Sequence, residues 1–112
     1  MTILECSENI KDNKREIYKL TKSGMLEKVK EHEGEVITIT AYVLFEDVNR
    51  DGKEVEILSF VTEDGEAFAT NSATVIKSFK DMKEVLGFPL ENVEIVSGES
   101  KHGTKYFNLL LK

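Results

Sequence analysis

The chain has 112 residues, 40% of them apolar and 32% charged, a size and mixture suited to one water-soluble domain with a core of its own. Its single cysteine, Cys6, rules out an internal disulfide, and no apolar run approaches the roughly 18 residues of a membrane span, so a cytoplasmic address with no membrane partner is expected. The net charge of −6 argues against binding nucleic acid by bulk charge alone, but the charge is uneven: residues 11–30 hold seven basic against three acidic side chains, and residues 31–112 hold eight against sixteen.

Met1 to Asn13 shows no clear period and reads as a loosely held start. From Glu16 to Thr21 the residues alternate in a way that fits a strand or arm, followed by a short helical turn through Met25, Leu26 and Val29; one continuous helix is the alternative. Residues 1–34 are therefore expected to form an N-terminal arm or extension. Val36 to Phe45 is a long strand with Ile37, Ile39, Ala41, Val43 and Phe45 on one side, expected to face a core. Val36, Thr38, Thr40, Tyr42 and Leu44 take the other, less dry side. Asn49-Arg50-Asp51-Gly52 supplies a hairpin turn, and Val55, Ile57, Ser59 and Val61 continue the alternation opposite Leu58 and Phe60. Glu63 to Glu66 turns again into a short third strand, Ala67 to Thr70.

A capped helix follows. Asn71 or Ser72 can serve as its N-cap, Val75, Phe79, Met82 and Leu86 draw one apolar stripe, and Gly87 with Pro89 stops it. Val93 and Ile95 then begin a strand, and Phe107, Leu109 and Leu111 line another. Three strands, a helix and two strands is the order of an OB-fold barrel, so a mainly β, five-stranded OB-fold-like domain over residues 1–112 is expected, with the helix between strands 3 and 4.

Sites for catalysis are scarce. His32 and His102 sit in charged, glycine-flanked stretches that read as exposed loops, Cys6 is isolated, and zinc-type spacing, phosphate loops and dinucleotide fingerprints are missing. Asp47 to Gly52 resembles the opening of a calcium loop, but Leu58 stands where the closing Glu would be, so it reads as a turn. No enzyme activity, metal or cofactor is expected. Binding a single strand needs less: flat rings for stacking beside positive charge. Tyr42 and Tyr106 lie on the less buried faces of their strands, and Phe60 fits the groove and the core equally well. Arg50 and Lys53 at the first hairpin tip, and Lys101, His102 and Lys105 at the last, would flank that face, with Lys14, Arg15, Lys19 and Lys22 joining if the basic segment packs alongside. Lys77, Lys80 and Lys83 read as a solvated helix face.

The stretch Val93-Glu94-Ile95-Val96-Ser97-Gly98-Glu99-Ser100-Lys101-His102-Gly103-Thr104-Lys105-Tyr106-Phe107-Asn108-Leu109 resembles the terminal hairpin of the small single-stranded DNA-binding proteins of tailed bacteriophages. Gly65 to Val75 resembles that family's strand-to-helix junction. The resemblance covers roughly residues 35–112 and implies an OB-type fold, no enzymatic activity, and sequence-independent coating of single-stranded DNA in phage replication or recombination, in the bacterial host cytoplasm. It leaves a homo-oligomer and phage or host replication proteins open as partners. The chain departs from the cellular type by ending at Leu109-Leu110-Leu111-Lys112 where that type continues into a flexible acidic tail. The competing reading is an acidic protein-interaction module that binds no nucleic acid.

Overall fold

In the computed structural model, which describes all 112 residues, the chain runs β1 (Thr2–Cys6), α1 (Lys14–Thr21), β2 (Glu27–Lys28), β3 (Val36–Val48), β4 (Glu54–Thr62), β5 (Ala67–Thr70), α2 (Ala73–Leu86), β6 (Leu90–Glu99) and β7 (Lys105–Leu111). All seven strands belong to one sheet in the order β2-β5-β4-β3-β6-β7, with β1 paired to β3 beside that path. The sheet curls into a half-barrel compatible with an OB-like fold. It differs from the expected five-stranded barrel in two respects: residues 1–34 contribute two further strands, and the path has free ends at β2 and β7.

The expected faces of β3 hold only for its first half. Ile39 lies opposite Thr62 but Ala41 lies opposite Val61, so one extra residue, Thr40, bulges out of the pairing. A bulge of one residue moves every later side chain to the other face. Ile37 and Ile39 therefore point inward before Thr40, and Tyr42 and Leu44 point inward after it. They meet Leu58, Phe60, Phe68, Val75, Ile76, Phe79, Val93, Ile95 and Leu109 in the main core. Ala41, Val43 and Phe45 face outward, into a second cluster with Ile10, Leu20 and Ala67. Asn9 donates its side-chain amide to the carbonyl of Thr40 at 2.9 Å, so the bulged residue's acceptor is satisfied.

That second cluster shows how the extension of residues 1–34 packs on the sheet. β1 pairs antiparallel with the second half of β3, and Ser7 fastens its end, accepting from the amide of Tyr42 at 3.0 Å and donating its own amide to the Tyr42 carbonyl at 3.0 Å. The segment expected as strand over Glu16 to Thr21 is a helix. Asn13 caps it by accepting from the Glu16 amide, and Ile17 and Leu20, three residues apart, turn the same side toward the sheet. The expected helical turn at Met25 to Val29 is instead β2 followed by one 3₁₀ turn over Val29–Glu31, with β2 parallel to β5. Met25 is fully out in solvent.

α2 follows its expected signals closely. Ser72 caps it by accepting from the Val75 amide, and Gly87, at φ 80°, ends it in a backbone region open to glycine. Its buried side is Val75, Ile76 and Phe79 with Met82 packed alongside, while Leu86 in the last turn is exposed.

Charged clusters on two sides also tie the extension to the half-barrel. The hydroxyl of Tyr42 donates to Glu5, which also meets Lys83; the Lys83 ammonium holds the Glu5 carboxyl below its usual range, the tyrosine adding to it. On the far side His32, with its side chain only 15% exposed, sits edge-on to Phe68 with ring centroids 4.8 Å apart. It is therefore not the exposed loop histidine that its surroundings suggested. Its ring nitrogens face Glu35 at 2.5 Å, Glu27 at 3.6 Å and Glu66 at 3.8 Å. Burial alone would lower the imidazole pKa, but the bond to Glu35 and the surrounding carboxylates outweigh it and the net direction is upward.

Two predictions follow from this packing. Leu20→Ala empties a fully buried position and should cost about 2–5 kcal/mol in urea-melt stability, with the midpoint lowered and the slope unchanged. A histidine pKa raised by folding adds stability that is complete below its unfolded value, about 6.5, and is lost as pH rises through the higher folded value. Urea melts should therefore show stability falling from about pH 6 to 8, and His32→Gln should flatten that fall. An equal slope in both proteins would refute the assignment.

Candidate nucleic-acid interface

The terminal hairpin presents its aromatic residue by means of a glycine. In the β6–β7 pairing Tyr106 lies opposite Gly98. A Cβ at position 98 would stand 2.7 Å from the Tyr106 ring, so glycine there lets the ring lie flat across the neighbouring strand. The ring remains 44% exposed. Phe107 turns to the other face and packs half-buried against the main core. Lys105 passes 5.3 Å over the Phe107 ring and reaches Glu33 at 3.0 Å. That ammonium is the main reason the Glu33 carboxyl titrates below its ordinary range.

A groove of about 630 Å³ runs where the two ends of the sheet approach each other. Lys28, Val29 and Lys30 form one wall, and Lys105, Tyr106 and Phe107 the other. Between them lie Ala69 and Thr70 of β5 and the start of α2 at Asn71 and Ser72. The first turn of α2 carries no acidic side chain, so nothing there offsets the partial positive charge of the helix N-terminus.

The ion pairing of the cations sharpens this picture. Seven of the fifteen lysines and arginines lie within ion-pair distance of a carboxylate, including Lys77, Lys80 and Lys83 on α2. Of the eight that do not, Lys14, Arg15, Lys19, Lys28 and Lys30 fall within one stretch of the sequence, and Arg50, Lys53 and Lys101 sit at the two hairpin tips. Free positive charge is thus gathered on an otherwise acidic body.

The expected binding residues separate into three groups. Tyr106 and Lys105 line the groove. Arg50, Lys53 and Lys101 are exposed at hairpin tips outside it, and Arg15 and Lys19 ride on α1, with Lys22 just past its end, on the outer face of the sheet. Lys22 is already engaged by Asp47 at 3.1 Å. Tyr42 and Phe60 require correction. Tyr42 is 4% exposed and Phe60 is fully buried, both inside the main core. The Thr40 bulge turned Tyr42 inward, and its hydroxyl found Glu5 rather than water. Phe60 stacks on Phe68 at 5.1 Å, and Tyr42 packs edge-on to Phe79 at 4.9 Å. Neither ring offers a face to a base. Lys28 and Lys30 line the groove but are not among the expected residues, because a helical turn was expected there; their alternation about the buried Val29 was the available signal.

Metal-capable side chains gather at His32, Glu35 and Glu66, whose ligand atoms lie within 4.8 Å of one another. Those atoms already engage each other as hydrogen-bond and charge partners. At the β3–β4 turn, Asn49 accepts from the amides of Asp51 and Lys53 at 2.9 and 3.0 Å, the internal bonding of a hairpin turn.

No curated protein and no solved structure matches the chain. A family model described as phage single-stranded DNA-binding protein does match, over residues 7–112. The matched range includes the terminal hairpin, the groove and α1. By that match across nearly its whole length, the chain belongs to the phage single-stranded DNA-binding protein family.

Proposed function

We propose that this protein coats single strands exposed during phage DNA replication or recombination, without catalysis and without reading sequence. A base stacks on Tyr106, and Lys28, Lys30 and Lys105 hold the phosphates on either side. The observation that carries this reading is the groove itself: two unpaired lysines on one wall face an open tyrosine and a third lysine on the other. Stacking tolerates any base because every base has a π-face. The net charge of −6 makes a distributed electrostatic grip on duplex DNA unfavourable, and a cationic track of limited width suits a single backbone. Its place of action is the cytoplasm of the bacterial host.

Titration of intrinsic tyrosine fluorescence with single- and double-stranded oligonucleotides at two salt concentrations tests this reading. Oligo-dT should quench the signal and bind far more tightly than duplex. Log affinity should fall with log salt at a slope of about −2, the value for three phosphates on a single strand. Tyr106→Ala should weaken binding by about 1–3 kcal/mol. Gly98→Val, which pushes a side chain into the ring's place, should weaken it with Tyr106 still present. If Tyr106→Ala binds like the parent, stacking in the groove is refuted. Absence of oligonucleotide binding even at low salt would favour the protein-interaction reading.

A further inference from the structure

We infer that α1 carries a second single-strand contact, in which a base stacks on Tyr18 while Lys14, Arg15 and Lys19 hold neighbouring phosphates. The inference rests on the proposed groove, which it extends into a longer track.

Tyr18 is the most exposed of the aromatic residues, at 64%. No aromatic or cationic side chain lies over its ring, unlike Tyr42, whose ring meets Phe79, Phe88 and Lys83. A tyrosine ring in water leaves a large apolar face uncovered. Here the ring projects from a helix whose orientation is fixed. Leu20 and Ile17 sink into the second core, and Asn13 holds the helix start. Thr21 and Ser23 donate their hydroxyls to the carbonyls of Ile17 and Lys19 at 2.7 and 2.6 Å, closing its end. A rigid helix presents the ring with little ordering cost on binding.

The charge around the ring has one sign with a single exception. Lys14 and Arg15, four and three residues earlier, fall on the same side of the helix as Tyr18. Together with Lys19 and Glu16 they line a shallow depression of about 620 Å³. None of the three cations has a carboxylate within ion-pair distance. Toward the helix N-terminus the adjoining surface carries Glu8 and Asp12, which repel a backbone taking that side. In the other direction the chain leads from α1 into β2 and the 3₁₀ turn after it, where Lys28 and Lys30 wall the groove, and α1 packs against β5, whose Ala69 and Thr70 lie between the groove's walls. Free cations of residues 14–30 thus stand both beside Tyr18 and on the groove wall opposite Tyr106. Two aromatic stations, each with its own cations, are what a strand longer than the groove would use.

The experiment compares short and long oligo-dT, about 5 and 20 nucleotides, chosen to lie near and beyond the ends of the range occupied by one such fold. Affinity is read by anisotropy of an end label for the parent, Tyr18→Ala, Tyr18→Phe, the triple variant Lys14→Ala/Arg15→Ala/Lys19→Ala, and Tyr106→Ala. Tyr18→Ala should bind the short strand like the parent and the long strand about tenfold more weakly, with Tyr18→Phe restoring the long-strand affinity. The triple variant should lower the long-strand salt slope by about 2. Long-strand affinity and slope equal to the parent's in both Tyr18→Ala and the triple variant would overturn the α1 contact while leaving the groove intact. Conversely, if Tyr106→Ala binds normally and Tyr18→Ala loses even the short strand, the groove reading falls and α1 stands as the main contact. Failure of the parent to bind either length overturns both. All substituted positions are exposed, and thermal melts matching the parent's confirm that a loss is one of binding.

Discussion

At Thr40 the long central strand carries one residue more than its partner, and the side chains beyond it change sides. Without that bulge Tyr42 and Leu44 would face out and Ala41, Val43 and Phe45 would fill the half-barrel. With it, the larger pair goes inside and the outer face gains an apolar surface of its own. Such a surface must be covered, and the first 34 residues cover it with β1, α1 and the turn around Ile10. Leaving these side chains in water costs about 25 cal/mol for each Å² of apolar surface, which opposes freeing the segment. So the bulge determines that the basic segment is folded onto the body rather than trailing from it. Anything that segment does to a ligand, it does from a fixed position.

The charge pattern follows from the same arrangement. Residues 14–30 are pressed against an apolar face, not against the acidic strands, and so most of their lysines find no carboxylate. The helix α2, which caps the half-barrel, has the reverse situation: Lys80 and Lys83 reach Glu56 and Glu5, and Lys77 pairs with Asp81 one turn on. Two lysine-bearing helices of one chain are thereby distinguished by their neighbours. Single exposed ion pairs contribute little to stability, about 0–1 kcal/mol each; here their larger effect is to leave α2 nearly neutral and α1 cationic.

The sequence made the second half of the chain legible because its signals were local. Ser72, Gly87 and the Asn49 to Gly52 turn depend on nearby residues and are where they were expected, and β4, β6 and β7 are strands as expected; but Leu58 and Phe60, not the Val55, Ile57, Ser59 and Val61 side, face the main core, and Leu111 is exposed. The bulge was not legible, because nothing in Ile-Thr-Ile-Thr-Ala-Tyr marks one threonine as extra; the pairing with β4 decides it. The face of Tyr42 went wrong for that reason alone. For the first 34 residues, Ile17 and Leu20 are too short a repeat to separate helix from strand without the outer face of β3 to receive them. Tyr106 was legible as an open ring from its place opposite Phe107, while the role of Gly98 beneath it needed coordinates. Tyr18 carries no pattern of its own at all.

The two free ends of the sheet pose a question of their own, since an unpaired strand edge invites association with another strand. β2 has two residues and offers almost no template. β7 is longer, but its N-terminal end carries Lys105, whose only carboxylate partner is the exposed Glu33, and a side chain as bulky as Tyr106 stands beside it. A charged edge is a poor surface for a second sheet and a good one for a phosphate. Because the Lys105–Glu33 pair is in solvent and worth little, a phosphate can take the place of Glu33 at small cost. Salt would weaken both contacts, but on the proposed reading a strand would bring several phosphates at once and release their condensed counterions. On that reading, the cation that blunts the N-terminal end of β7 against a second sheet is also the one that would meet a phosphate, while Leu110 and Leu111 leave the other end of that edge apolar.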